Sequence, residues 1–279
     1  MTFKDLLVHV DETKACAARV RAAIDLAIAH EAHLTAVYVV TDSSPTTFVQ
    51  GYMPPEMLEM MQREARERAD AALGRFAEEA RRNHISFETR VDRVPYPAIA
   101  QALATHARYA DVAILGQADP DDGGMPPSLP EEVTLASGRP SLVIPYIGPA
   151  ATLGQRVTVA WDAGREAARA VNDALPLLKR AEVVGVVTVN PQERPFGHGE
   201  QPGADIALHL ARHGIKVEVQ RVESRDIDVP NAILSHIADQ GSDLLVMGAY
   251  GHSRLRELVL GGVTRTILSD MTVPVFMAH

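Results

Sequence analysis

The sequence predicts a tandem α/β protein in which one unit of alternating strands and helices occurs twice. Short apolar runs of strand length alternate with Ala-rich helical segments. This alternation implies right-handed crossovers and a parallel sheet covered on both faces. The unit also repeats, because Leu6 to Val10 runs into Asp11 and, 151 residues later, Val157 to Trp161 runs into Asp162. We therefore expect two open α/β sheets of five strands each, with helices on both faces, within the 279 residues.

The other elements of the two halves correspond in order. Apolar residues at three- and four-residue intervals predict the helices, and short Val-rich runs predict buried strands. The pairs are a helix at 17–30 and 167–180, a strand at 34–40 and 183–189, a strand at 85–91 and 215–222, a helix at 97–106 and 230–238, a strand at 109–116 and 241–248, and a last strand at 140–145 and 274–278. The first half adds a charged outer helix at 56–83. The predicted domains are residues 1–147 and 155–279, joined by a segment containing Gly and Pro.

Composition narrows the class of protein. The content of 46% hydrophobic and 23% charged residues is typical of a globular protein. The sequence contains no run of 18 apolar residues, so we expect no membrane-spanning helix. We see no signal-peptide pattern and expect a cytoplasmic location. The net charge of −9 disfavours binding to nucleic acid or to anionic membranes. Cys16 is the only cysteine, which excludes an intramolecular disulfide and a thiolate zinc cluster.

A glycine-rich loop follows the fourth strand of the second half. Leu244 to Met247 runs into Gly248-Ala-Tyr-Gly251, and nine residues later come Gly261 and Gly262. Glycines let backbone N–H groups close on an anion, and the N-terminus of a following helix favours negative charge. The loop therefore predicts a site for a nucleotide or another phosphate compound. A plain tight turn at Gly248 and Gly251 would leave the same pattern. Gly261 and Gly262 could equally serve to let a helix approach the sheet closely.

Other polar groups fall at the same edge of the predicted sheet. Ligands of open parallel sheets bind beyond the carboxyl ends of the strands, where Asp162, Val189 and the Gly248 loop are expected to meet. The Asp162 carboxylate is placed either to accept a ribose hydroxyl or base amino group, or to cap the next helix. Arg254, inside the loop, either contacts a phosphate or points to water.

These residues resemble the universal stress protein family. Its nucleotide-binding members carry Gly-x2-Gly-x9-Gly followed by Ser or Thr, after the fourth strand of a fold whose first strand ends in Asp. Here the glycine spacing matches at Gly248, Gly251 and Gly261, while Gly262 stands where the hydroxyl residue belongs. Thr264, two residues later, offers a substitute hydroxyl. The resemblance extends from about Lys4 to the C-terminus and is to the tandem form, with strand order 3-2-1-4-5 in each domain.

The resemblance implies a stress-response protein that binds ATP or ADP in its second domain. Whether Mg²⁺ accompanies the nucleotide stays open, and hydrolysis is at most slow, since no general base is evident and no Lys follows the glycines as in a Walker loop. The implied binding residues are Asp162, Val189, Met247, Gly248, Gly251, His252, Arg254, Gly261, Gly262, Val263 and Thr264. The expected assembly is a homodimer, or a pseudo-dimer within one chain in which Ser141 to Pro145 packs beside Val273 to Met277.

The first half departs from the binding pattern. Asp119 replaces the second glycine, and Leu129-Pro-Glu-Glu132 occupies the place of the glycine pair, so acidic groups would repel a triphosphate. We expect no nucleotide there. Two alternatives remain for the whole chain. One is a scaffold or interaction protein that binds no nucleotide. The other is an enzyme that uses His209 and His213, spaced to share a metal, beneath the loop at 191–203; solvated histidines are the simpler reading.

Overall fold

The computed structural model describes residues 2–42, 55–122, 124–148, 152–191, 201–250 and 262–279. The chain divides into two compact units. One is Phe3–Ser137, and the other is Gly138–His279 with Met1–Thr2. No helix of the described ranges is both long enough and apolar enough to cross a membrane.

In its described residues the N-terminal unit has a four-stranded parallel sheet and four α-helices. Its elements are β1 Asp5–Val10, α1 Cys16–His30, β2 His33–Asp42, α2 Pro55–Arg82, β3 Phe87–Pro95, α3 Ile99–Ala107, β4 Val112–Gly116 and α4 Leu129–Ser137, with a 3₁₀ turn at Tyr96–Ala98 before α3. The strand order is β3-β2-β1-β4, and β1 pairs in parallel with both β2 and β4. The first four positions of the predicted order 3-2-1-4-5 are therefore observed in this unit, while the fifth strand of the repeat, at Ser141–Ile144, belongs to the other compact unit.

The C-terminal unit repeats this arrangement and adds a fifth parallel strand. Its elements are β5 Ser141–Ile144, β6 Arg156–Ala160, α5 Arg165–Leu178, β7 Val183–Val189, α6 Ala204–Arg212, β8 Val217–Val222, α7 Val229–Gln240, β9 Leu244–Gly248, α8 Val263–Asp270 and β10 Val275–Ala278. Strands β8-β7-β6-β9-β10 are parallel and in the predicted order. β5 joins this sheet antiparallel to β10, with Val143 opposite Val275. The predicted pairing of these two segments is confirmed.

Burial follows the apolar pattern that predicted the strands. All five residues of β4 are buried, and so are the first four of β9, as expected for central parallel strands covered on both faces. The charged helix α2 differs along its length. Its first turns are largely exposed, whereas a stripe that includes Ala69, Phe76 and Ala80 is buried, at spacings that place these residues on one face.

One aspartate before the fourth strand of each repeat fixes the start of the first strand. The Asp243 carboxylate accepts hydrogen bonds from the backbone N–H groups of residues 154, 155 and 156, at 2.9–3.1 Å. Asp111 accepts from Lys4 N and Asp5 N in the same way, at 2.6 and 3.1 Å. Backbone donors that would otherwise lack partners at these strand ends are thereby satisfied.

Candidate functional site

The candidate site lies at the carboxyl edge of β6, β7 and β9 in the C-terminal unit. β6 lies between β7 and β9, and Ala160 is level with Val187 on one side and Met247 on the other. The chain continues from β6 to β7 and from β9 to β10, which lie in opposite directions across the sheet. The strand order therefore reverses between β6 and β9, and open α/β sheets bind ligands at such a point.

Asp162 lies in the turn that joins β6 to α5. Its side chain is exposed, and Oδ1 accepts a hydrogen bond from Gly164 N at 2.8 Å. Gly164 is the N-cap of α5 and brings no side-chain cap of its own. The carboxylate thus satisfies a donor ahead of the helix, as the capping interpretation expected. Its exposure also leaves it accessible at the sheet edge.

Gly248 ends β9 where the first turn of α5 crosses it. A Cβ added to Gly248 would lie 2.5 Å from Ala167 N and 2.7 Å from the Glu166 carbonyl carbon. Both are backbone atoms, so no side chain fits without moving the helix. Met247, one residue earlier, is 5% exposed and packs into the core of the unit. Gly248 therefore allows α5 to pack closely against the end of β9.

A second carboxylate at this edge, Glu166, is buried and paired. Its side chain is 4% exposed and accepts a hydrogen bond from Arg165 Nε. Burial would raise the pKa of Glu166, but the hydrogen bonds from Arg165 and from its own backbone N–H, with the charges of Arg165 and His279, lower it below its usual value. The His279 ring lies against the end of β9, with Nδ1 2.8 Å from Ala249 O. Glu166 is therefore held as a charged structural group.

Residues from both ends of the glycine loop meet at the start of α8. Gly262 is the helix N-cap, without a side-chain cap, and Val263 is the first helical residue. The Thr264 side chain is 2% exposed, and its Oγ1 accepts a hydrogen bond from Tyr250 N at 3.3 Å. The hydroxyl predicted as a phosphate contact thus joins the two ends of the loop.

The end of β7 is held by a pair of hydrogen bonds to the segment after β8. Val189 is the last residue of β7 and is partly buried. The next residue, Asn190, donates from Nδ2 to Ser224 O and accepts at Oδ1 from Ser224 N, both at 2.8 Å. This pair of hydrogen bonds holds the segment after β7 against the segment after β8, on one side of the candidate site.

Three residues at this edge adopt left-handed backbone conformations without being glycine. They are Ala163 after β6, Asn190 after β7 and Tyr250 after β9, with φ of 61°, 44° and 61°. The other two such residues in the described ranges, Glu31 and His84, follow the ends of α1 and α2. A left-handed residue other than Gly costs about 1–2 kcal/mol, and such residues cluster at binding sites. Asn is a residue type that tolerates this conformation, but nothing in the residue types marked Ala163 or Tyr250.

The structure thus places seven of the predicted binding residues near this edge: Asp162, Val189, Met247, Gly248, Gly262, Val263 and Thr264. The other four, Gly251, His252, Arg254 and Gly261, lie outside the described residues.

The histidine pair of the alternative hypothesis does lie together. The rings of His209 and His213 are 4.8 Å apart between centroids, at 68°. In the part of the chain that the structure describes, no group of three or more His, Cys, Asp or Glu residues could hold a metal ion. Residues 192–200 of the loop proposed to cover the pair lie outside that part.

Comparison with known proteins agrees with the repeated fold. An Archaeoglobus fulgidus universal stress protein superposes with a TM-score of 0.74, covering 98% of this chain and 95% of that one at 18% identity. A functionally unknown protein from Pseudomonas aeruginosa gives a TM-score of 0.62, covering 99% and 92% at 14% identity. At these identities the likeness establishes the fold alone.

Sequence comparison gives the family. Over 66 residues the chain is 39% identical to the universal stress protein Slr1230 of Synechocystis, a match that covers 24% of this chain and 22% of that protein. The model of the universal stress protein family matches twice, at residues 2–120 and 154–279. Because these matches include most of both halves, the chain belongs to the universal stress protein family, in its tandem form.

Proposed function

We propose that this stress protein binds one adenine nucleotide, ATP or ADP, at the carboxyl edge of β6, β7 and β9. The observation that carries the proposal is the backbone at that edge, where each of the three strands is followed within three residues by a left-handed residue other than glycine. Conformations of this kind persist when the surroundings impose them, and they are typical of residues that shape a ligand site.

The charges at the edge suggest how a nucleotide would lie. Asp162 is an exposed carboxylate, so it would repel phosphates and suits a ribose hydroxyl or a base amino group. Gly262 caps α8 without a side chain, and the N-terminal end of a helix attracts an anion. In our proposal the ribose and base lie near Asp162 and Val189, while the phosphates lie at Gly248, the glycine loop and the start of α8.

The four predicted loop residues outside the described ranges would complete the phosphate site. The spacing of Gly251 and Gly261 follows the family pattern, and His252 and Arg254 bring further donors. Thr264 would act by joining Tyr250 to α8, the contact it already makes. In this proposal ATP binds together with Mg²⁺.

The proposal is one of binding, with hydrolysis at most slow. Glu166, the second carboxylate of the edge, is buried and paired with Arg165, which makes it a poor general base. Asp162 already accepts a hydrogen bond from Gly164. A bound nucleotide would stabilise the folded chain by mass action, which suits a sensor of nucleotide level.

The proposal also covers assembly and location. We infer a homodimer, or a pseudo-dimer within one chain, in the cytoplasm. The antiparallel pairing of β5 with β10, the last strands of the two repeats, supports the pseudo-dimer.

Thermal unfolding with and without nucleotide tests the binding. We expect ATP with Mg²⁺ at millimolar concentration to raise the melting temperature of the wild type. Asp162→Ala should weaken this rise, and Gly251→Val or Gly261→Val should abolish it. Asp173→Ala is the matched control, because Asp173 lies on α5, the helix after Asp162, and pairs with Arg169. It should leave the rise in melting temperature unchanged. An unchanged melting temperature would favour the scaffold alternative.

A further inference from the structure

The equivalent edge of the N-terminal unit contains a buried ion pair. Asp11 follows β1, and its Oδ2 lies 2.8 Å from Arg19 Nη2. Its Oδ1 accepts hydrogen bonds from Thr13 N and Thr13 Oγ1, at 3.0 and 2.6 Å. Both oxygens of this carboxylate are therefore engaged by groups of its own unit, whereas among the described residues Asp162 accepts a hydrogen bond only at Oδ1.

The Arg19 guanidinium reaches the point between the ends of β1 and β4. Arg19 is completely buried, and its Nε donates to His9 O at 2.7 Å. A Cβ added to Gly116, the last residue of β4, would lie 2.1 Å from Arg19 Nη1 and 3.3 Å from its Cζ. The side chain therefore lies directly against the glycine that ends β4. In an open α/β sheet this is the position of a ligand.

Among the described residues of the second repeat, α5 places no arginine at the equivalent position. The offset of 151 residues that relates Asp11 to Asp162 also relates Arg19 to Ala170. Ala170 is completely buried as well. At Gly248 the close neighbours are Ala167 N, the Glu166 carbonyl carbon and Glu166 Cβ, all in the first turn of α5, and none belongs to a charged head group. The two repeats thus differ at this position by one long cationic side chain.

The loop after β4 covers the arginine. Asp122 Oδ2 accepts a hydrogen bond from Lys14 N at 2.8 Å, which ties that loop to the turn after β1. Met125 Cε lies 3.1 Å from the Cβ position of Gly116, on the same side as the guanidinium. Buried charges are tolerated where they are paired and hydrogen-bonded. Arg19 is paired with Asp11 and donates through Nε to His9 O, while its Nη1 has no hydrogen-bond partner among the described residues.

We infer that Arg19 is a permanent internal occupant of the N-terminal cleft, a guanidinium bound in cis between Asp11, the His9 carbonyl and Gly116. It fills the place that a ligand would take and excludes a nucleotide from this unit. A consequence, which rests on the proposed function, is that the chain binds one nucleotide and not two.

A double-mutant cycle tests the occupancy without any ligand. Gly116→Ala should lower the melting temperature of the wild type, because its methyl group overlaps Arg19 Nη1. In an Arg19→Ala background the same substitution should leave the melting temperature unchanged or raise it, because the methyl group enters vacated space. If Gly116→Ala is equally harmful in both backgrounds, the inference is overturned.

Two further variants keep the cycle decisive. Should Arg19→Ala fail to fold, Arg19→Met replaces it, since that side chain ends where Nε lies and removes only the guanidinium. Arg21→Ala is the control, because Arg21 lies on the same helix and its side chain is largely exposed, paired with Glu79. We expect no coupling between Arg21→Ala and Gly116→Ala, and coupling as large as that of Arg19 would contradict the inference.

Calorimetric titration with ATP and Mg²⁺ separates this inference from the proposed function. One nucleotide per chain supports both. Two per chain overturn the exclusion by Arg19. No binding overturns the proposed function and leaves the occupancy of the cleft to the double-mutant cycle.

Discussion

Thr264 Oγ1 accepts the backbone N–H of Tyr250 at 3.3 Å and so connects the end of β9 to the start of α8. The two residues are 14 positions apart, on either side of the glycine loop. Tyr250 is one of the left-handed residues of the edge. The contact therefore links a strained backbone position to the helix that we propose as part of the phosphate site.

Thr264→Val tests this link. Valine keeps the shape of the buried side chain but cannot accept the Tyr250 N–H, and an unsatisfied buried donor costs about 1–3 kcal/mol. We expect a loss of that size in the free energy of unfolding by denaturant, together with weaker nucleotide binding. Thr266→Val, two residues along the same helix and only partly buried, is the control. Equal effects of the two substitutions would contradict the assigned role.

Gly248→Ala tests the contact between β9 and α5. The new methyl group would meet two backbone atoms within 2.7 Å, so α5 must shift. We expect the free energy of unfolding by denaturant to fall by about 3 kcal/mol or more, the upper end of the cost of an overpacked core. Gly74→Ala is the matched control, because nothing lies within 4 Å of its added Cβ. That control should stabilise α2 by about 0.5–1 kcal/mol. A well-tolerated Gly248→Ala would contradict the observed packing.

Asp243→Ala tests the clamp at the start of β6. The substitution leaves three backbone N–H groups without their acceptor, at a position where Asp243 is only 5% exposed. Hydrogen bonds to a charged group contribute about 1.5–3 kcal/mol each. We expect a loss of at least about 3 kcal/mol in denaturant unfolding. Asp239→Ala, an aspartate of α7 that makes no such clamp, should change stability by much less. A comparable loss from both would refute the clamp.

The pH dependence of stability tests the burial of His9. Burial lowers the pKa of His9 from 6.5 to about 4, against the attraction of Asp11 and with help from Arg19. Between pH 6.5 and about 4, His9 is protonated in the unfolded chain but not in the folded chain. The free energy of unfolding therefore falls as the pH falls through this range. The difference corresponds to about 3 kcal/mol.

His9→Phe should remove that part of the loss. Denaturant unfolding at a series of pH values would show a flatter profile for the variant. Some loss in the same direction should remain, because burial also lowers the pKa of His236. Identical profiles for the variant and the wild type would show that His9 does not carry the effect.

Much of the fold could be predicted because local patterns and chain connectivity agree. Apolar runs of strand length identified β4 and β9, and the rule for parallel crossovers restricts their order. The rule that ligand sites lie beyond the carboxyl ends of parallel strands predicted that Asp162 and Gly248 lie at one edge. The role of Gly248 was left open between a phosphate cradle and a tight turn, and the close packing of this glycine against α5 was not predicted.

Other features depend on contacts that the sequence does not reveal. Left-handed backbone at Ala163 and Tyr250 is imposed by the surroundings and contradicts the preference of both residue types. Arg19 left a signal, since it lies at the spacing of the buried face of α1, with Ala23 and Leu26. A cation on an apolar stripe predicts a buried partner. Only the fold shows that the partner is Asp11 and that the space it fills is the cleft.

The central claim is that the C-terminal unit binds an adenine nucleotide, and a native mass spectrum of the protein purified without added nucleotide tests it most directly. We predict one bound adenine nucleotide for each chain, released on denaturation and missing from Gly251→Val. A spectrum of the bare chain, with no adenine compound released and none acquired after addition of ATP and Mg²⁺, would contradict the claim.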